Sequence, residues 1–439
     1  MKKTILCLCA AWMALLAGCQ TQQRGGYGLT AMPGSSNQWM PKTMASPRGA
    51  ESVNTPMEAS GAWKTASMPE MANVDVVLEN TSASKPESSP GTEKLSSAPP
   101  PYETVKVFYG TDRKPSGSAD PVKFYTDKRS DGGQLHFGKC FVSIPRNHKK
   151  ASLASYSLWK AEFKNTPEKH VTLLKVKSLE KEVFTSELQA EIARAKKNEI
   201  FVFIHGYNVS FEDAARRTAQ LSYDLEFRGV PVLYSWPSQN KLLEYFVDDG
   251  NNRWTVPHLE KFLKQLAAES GASTIHLVAH SMGNQAMANA LERIALSSSL
   301  ERPLFNQIVM AAPDIDVDEF EQLSEQIRKT GEHLTLYACS KDVALEWSRK
   351  FREHPRLGNS GKEMVVRPVM DSIDVSFVDT SLLGHSYVTS NEYVIRDIAQ
   401  LLNGKRKPNE RCCCCFAAKS KAGQPFWVYQ PVSACTHWK

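Results

Sequence analysis

Beyond its extreme N-terminus the sequence has no apolar run of the roughly 18 residues that a membrane-spanning helix needs, which excludes a multi-span membrane protein. It also has little excess charge of either sign. Lys and Arg number 53 against 47 Asp and Glu, a net charge of +6 over 439 residues. So dilute an excess makes no concentrated basic face, and no nucleic-acid partner is expected. Nor is a paired disulfide framework present. Of 10 cysteines, Cys7 and Cys9 fall in the leader and Cys19 closes it. The rest are odd in number, and Cys412 to Cys415 are consecutive, where neighbours are poorly placed to bridge one another. That run, taken with Cys435 and His437, matches no zinc-ligand spacing. What the chain does have is 41% hydrophobic residues, enough for a substantial core.

The leader is Lys2 and Lys3, a short apolar stretch from Thr4 to Leu16, and the small residues Ala17 and Gly18. Leu16-Ala17-Gly18-Cys19 resembles a bacterial lipobox. The resemblance implies a lipoprotein signal peptide over 1–18 and a mature chain that begins at an acylated Cys19, diacylated on sulfur and acylated on nitrogen with chains of the palmitate type. Several acyl chains exceed what stable anchoring requires. Gln20 in place of Asp resembles lipoproteins sorted to the outer membrane, so the expected location is the bacterial cell envelope, lipid-anchored in the outer membrane. An ordinary secretory signal with an incidental Cys19 is the alternative.

From 19 to 103 the chain is rich in Ser, Pro, Thr, Ala, Gly and Met, with neither a helical nor a strand period. Such a segment buries too little apolar surface to offset its ordering entropy. It reads as a disordered linker between anchor and domain, with a coil-like reach of about 50 Å.

The texture changes at Thr104. Apolar runs at Val105–Phe108, Lys139–Ile144 and Val171–Val176 lead into a regular alternation of strands and amphipathic helices. Strands are expected at Ile200–Ile204, Val230–Trp236, Ile275–Ala279, Gln307–Ala311, His333–Tyr337 and Ile373–Val378. Helices are expected after the Ser210–Asp213 capping box, from about Val256 to Gly271, from Gly283 to about Ile294, and over Glu392–Leu402. This pattern predicts an α/β fold, a mostly parallel central sheet with helices on both faces, whose function sits at the carboxyl ends of the strands. The domain is placed at 104–403, and 404–439 is left as a Cys-containing C-terminal tail of unknown role.

One strand-to-helix junction carries the chemistry: Ala279-His280-Ser281-Met282-Gly283, a nucleophile-elbow pattern with Ala in the first small position. Upstream, a strand ends in His205-Gly206-Tyr207, where one oxyanion-hole amide is expected. The amides of Tyr207 and Met282 are the assigned pair. His205 is expected to support that loop by hydrogen bonds, and His280 to be a packing neighbour of the serine. The hydroxyl needs a base and the base a carboxylate, in the order serine, acid, histidine. Asp342 follows strand 333–337, and His385 follows strand 373–378 just before the last helix. Asp314, which also ends a strand and is suited to capping the helix after it, is the alternative acid, and Asp379 is third. Tyr207, Trp236 and Tyr387 are equally candidate pocket walls and ordinary core aromatics. Only about one helix fits between Asp314 and His333, so no bulky lid is expected there.

Phe203-Ile204-His205-Gly206-Tyr207-Asn208, Ser235-Trp236-Pro237-Ser238, Ala279-His280-Ser281-Met282-Gly283-Asn284, Ala312-Pro313-Asp314-Ile315-Asp316 and Gly384-His385-Ser386-Tyr387 stand in order. Together they resemble the alpha/beta hydrolase superfamily, and within it a bacterial branch of largely uncharacterised function. Val107–Arg113 resembles that branch's opening motif, whereas the Cys-rich tail has no counterpart in it. The resemblance implies a Ser281–Asp342–His385 triad and does not name a substrate. The expected activity is that of a serine hydrolase of the carboxylesterase or lipase type, cleaving acyl esters through an acyl-enzyme. Its partners would be an ester or lipid-like small molecule and, through the anchor, a membrane; metal or organic cofactors would be none. The alternative is an envelope lipoprotein that uses the same fold for binding, without turnover.

Overall fold

The computed structural model describes residues 100–148, 166–241, 244–342, Leu345, Ser348, 353–377, 391–411 and 416–430. All of these fall in one compact unit, Thr92–Lys439. The leader, Cys19 and nearly all of the 19–103 linker lie outside the described residues, as do His385, Asp379, Tyr387, Cys412 to Cys415, Cys435 and His437. No described helix is long and apolar enough to cross a membrane.

Eleven strands form the main sheet. In chain order they are β1 (Tyr102–Thr111), β4 (His136–Pro145), β5 (Thr172–Leu179), β6 (Glu199–Ile204), β7 (Val230–Ser235), β8 (Thr274–His280), β9 (Phe305–Ala311), β10 (Gly331–Ala338), β11 (Asp371–Asp374), β12 (Phe416–Lys421) and β13 (Gln424–Tyr429). Two further strands, β2 (Arg113–Pro115) and β3 (Tyr125–Arg129), make a separate ribbon. Across the sheet the order is β12-β13-β11-β10-β9-β8-β6-β7-β1-β4-β5. From β13 through to β1 every neighbouring pair is parallel. Only the margins, β1–β4–β5 and β12–β13, run antiparallel.

Parallel strands buried on both faces read as unbroken apolar runs, and β6 and β7 are buried at every position. Helices α1 (Lys181–Arg194), α3 (Tyr245–Glu269), α4 (Gly283–Ser297) and α5 (Val317–Thr330) cover one face through one hydrophobic layer. Helices α2 (Phe211–Asp224) and α6 (Glu392–Gly404) cover the other through a second layer. The α2 start is capped as expected, with Ser210 Oγ accepting from the Asp213 amide at 3.0 Å.

Several elements differ from the sequence expectations, among them β11, which spans Asp371–Asp374 rather than the expected 373–378, and the unexpected β2–β3 ribbon. Helix α3 starts at Tyr245, not Val256, and carries Pro257 in its interior. Helix α1 was not anticipated. The segment set aside as a tail contains β12 and β13, which extend the main sheet beyond β11, so the fold does not stop at 403. Arg411, just ahead of this hairpin, is anchored in the body: its guanidinium is buried and donates to Asp397 Oδ2 on α6 at 3.0 Å and to the Tyr337 hydroxyl on β10 at 3.2 Å. Tyr337 also donates to Asp397.

Candidate active site

The carboxyl ends of β6, β8, β9 and β10 bring Tyr207, Ser281, Asp314 and Asp342 to one rim of the sheet. Ser281 follows β8 directly and is held at φ 54°, a left-handed conformation that costs a non-glycine residue roughly 1–2 kcal/mol. Its backbone is pinned from several sides. The Ser281 amide donates to the Ala311 carbonyl at 3.0 Å. Its carbonyl accepts from the Asn284 amide at 3.0 Å, the Asn284 Nδ2 at 3.0 Å and the Asp314 amide at 3.3 Å. Helix α4 begins two residues later and directs its N-terminus toward the serine. The side chain is 3% exposed, and it has partners within the fold.

Two glycines make the approach possible. A Cβ on Gly206 would lie 2.7 Å from Ser281 Cβ, and a Cβ on Gly283 would collide with the His205 carbonyl. The loop after β6 therefore lies directly against the serine, with no side chain between them. Met282 has its side chain buried in the core, and its carbonyl accepts from Asn252 Nδ2 on α3 at 3.0 Å. Tyr207, half-buried, sets its ring edge-on to Tyr245 at 5.4 Å and donates its hydroxyl to the Lys241 carbonyl at 3.4 Å.

Asp342 sits in the loop after β10, 1% exposed, where its Oδ1 accepts from the Leu345 amide at 3.1 Å. Asp314 adjoins the elbow through its amide, and its carboxylate is engaged by structural partners. Tyr245 donates to Oδ2 at 2.7 Å, Ser348 to Oδ1 at 2.6 Å, and the buried Arg356 lies 3.5 Å from Oδ1. Asp314 does not cap α5; Asp316 does, accepting from the Asp318 amide at 2.8 Å and the Glu319 amide at 3.2 Å. His280 is half-buried beside Gly206. Among the described residues no group of three His, Cys, Asp or Glu converges as a metal site.

His205 is buried and its Nδ1 donates to the Gly206 carbonyl at 2.8 Å. Burial, with the Arg113 cation beside it, pushes its pKa well below the usual imidazole range, which keeps the ring neutral. Trp236 is not a pocket wall. It is fully buried, stacks on His205 at 5.1 Å and donates its indole N–H to the His205 carbonyl at 2.7 Å. Behind the loop lies a residue that sequence reasoning missed, Asp248. It accepts from the Asn208 amide at 3.2 Å, Ser238 Oγ at 2.6 Å and the Gln239 amide at 2.7 Å, tying the loops after β6 and β7 together.

A mostly parallel sheet covered on both faces, with a serine on a left-handed strand-to-helix bend at its carboxyl edge, defines an α/β hydrolase. Residues 180–406, a little over half of the chain, match the family described as "alpha/beta hydrolase of unknown function (DUF900)", and the chain belongs to that family. No curated protein matches the sequence. Among solved structures it is similar to the Pyrococcus furiosus esterase Pf2001, at 13% identity over 48% of this chain and 84% of that one, with a TM-score of 0.29. A lipase-esterase related protein from Clostridium acetobutylicum shares 9% identity over 48% of this chain and 95% of its own, with a TM-score of 0.27. A hyperthermophilic esterase from Pyrobaculum calidifontis shares 12% over 69% and 83%, with a TM-score of 0.26. Likenesses this distant carry no inference about substrate.

Proposed function

We propose that the chain is a serine hydrolase acting on carboxylic esters, with Ser281 as nucleophile, His385 as general base and Asp342 as the acid that orients it. The reading rests chiefly on Ser281, whose left-handed bend presents the side chain between the Gly206 loop and the N-terminus of α4. In this scheme Ser281 Oγ attacks the acyl carbon as His385 takes its proton. The amides of Tyr207 and Met282 receive the oxyanion, the alcohol leaves with the proton, and water then attacks the acyl-enzyme. Asp342 is preferred to Asp314 because the Asp314 carboxylate is committed to Tyr245, Ser348 and Arg356.

A fluorophosphonate probe tests the reading. Labelling of the wild type that disappears in Ser281→Ala, together with hydrolysis of short p-nitrophenyl esters, is the expected result. A folded wild type that neither labels nor hydrolyses would instead be a binding protein on the same scaffold. An acyl-chain-length series on active protein then defines the substrate class. The same proposal places the enzyme on the outer membrane through acylated Cys19. Incorporation of radiolabelled palmitate should be lost in Cys19→Ser, and its persistence would remove the anchor from the scheme.

A further inference from the structure

Arg113, the last residue of the opening motif, is a buried cation held entirely by uncharged acceptors. Its Nε donates to Ser235 Oγ at 2.9 Å. One terminal nitrogen donates to the carbonyls of Thr126 at 3.3 Å and Ser238 at 3.1 Å. The other donates to the Val209 carbonyl at 2.7 Å and faces His205 Nε2 at 3.5 Å. Five N–H groups thus meet five acceptors, drawn from β3, β7 and the loops after β6 and β7.

The contact with His205 has a chemical consequence. A neutral imidazole carries one proton, on either nitrogen, and a guanidinium can only donate. With Arg113 facing Nε2, and Ser235 Oγ also 3.2 Å from it, Nε2 is the acceptor and the proton belongs on Nδ1. Nδ1–H is the form that donates to the Gly206 carbonyl at 2.8 Å. In a trans peptide the carbonyl and the following N–H point in opposite directions. Holding the Gly206 oxygen on the His205 side therefore holds the Tyr207 N–H on the other. On the opposite tautomer a bare Nδ1 lone pair would face that oxygen, and the peptide would be driven to turn.

We propose that Arg113 is a positioning residue that fixes the Nδ1–H tautomer of His205 and so sets the orientation of the Gly206–Tyr207 peptide for the oxyanion. This rests on the hydrolase reading, in which the Tyr207 amide serves the transition state. It explains why an arginine from the start of the domain is buried beside a loop built from its middle.

Nitrogen-15 NMR of histidine-labelled protein separates the two tautomers without any turnover. The wild type should show His205 as Nδ1–H. Arg113→Met should show an Nε2–H fraction, with kcat on a p-nitrophenyl ester lowered by up to about a hundred- to a thousandfold, the range for a lost oxyanion donor, and with KM little changed. If Arg113→Met does not fold, Arg113→Lys carries the same expectation, since one ammonium cannot replace the fork that meets all five acceptors. Wild-type His205 found as Nε2–H or as imidazolium overturns the proposal, as does a variant with an unchanged tautomer and unchanged kcat. An inactive wild type with the Nδ1–H form would remove the hydrolase reading alone, and an active one with Nε2–H would remove this inference alone.

Discussion

At the scale of single residues, the site depends on a missing methyl group as much as on a hydroxyl. Gly206→Ala would push a Cβ to 2.7 Å from Ser281 Cβ, well inside contact distance, so the loop or the serine must shift. We expect fluorophosphonate labelling to slow by at least about tenfold, as misplacement by an ångström does in catalysis, while circular dichroism stays that of the wild type. The two carboxylates should separate by what they damage. Asp342→Asn is expected to lower kcat by up to about 10⁴-fold with little change in melting temperature, because an amide favours the wrong imidazole tautomer. Asp314→Ala should instead cost stability, on the order of 3–5 kcal/mol in urea unfolding, because Arg356 is left buried without its carboxylate. The reverse pattern would make Asp314 the acid.

At the scale of elements, the central strands were legible in the sequence because burial on both faces leaves unbroken apolar runs, and the elbow was legible because its small residues flank a serine between strand and helix. The start of α3 was not legible. Asp248-Asp249-Gly250-Asn251-Asn252 has the composition of a loop, yet those polar side chains are taken up by partners distant in sequence. Asp248 serves Asn208 and Ser238, Asn251 accepts from Arg129 and donates to the Pro237 carbonyl, and Asn252 holds the Met282 carbonyl. Propensity reads neighbours along the chain and is blind to such contacts. The role of Arg113 was hidden for the same reason, its acceptors lying up to 125 positions away. The β12–β13 hairpin escaped notice because its outer strand, Phe416–Lys421, is largely exposed and polar, without the apolar run of an interior strand.

Just ahead of that hairpin stands the Arg411–Asp397–Tyr337 cluster, which gives a pH-dependent prediction. Burial raises the Asp397 pKa above the usual carboxylate value, against the pull of Arg411. A carboxyl raised by folding stabilises the fold most when protonated, and that contribution fades as pH rises through its folded pKa. In Arg411→Met the opposing cation is gone and the Asp397 pKa rises further. The variant's stability deficit, about 3–5 kcal/mol near neutrality, should therefore shrink as the solution is acidified, because an uncharged Asp397 needs no partner. Urea midpoints of wild type and variant across pH would show it; a deficit that grows in acid would contradict it.

At the scale of the whole molecule, β5 and β12 are the outer strands of the sheet among the described residues, and both carry lysines: Lys175 and Lys177 on one, Lys419 and Lys421 on the other. Charge on an edge discourages a second sheet from pairing there. Replacing Lys175 and Lys177 with Val should leave fluorophosphonate labelling at the wild-type rate and promote self-association, seen as faster-sedimenting species in velocity centrifugation. A double variant that sediments as the wild type does would show that other features guard this edge.

The family match closes at residue 406, five positions before Arg411 and ahead of both strands of the last hairpin. A protein ended at residue 406 would expose the flank of β11 and leave the buried Asp397 carboxylate on α6 without Arg411. A shortened form of this protein should keep the chain at least through Tyr429, or a sticky, acid-loving fragment is the expected product.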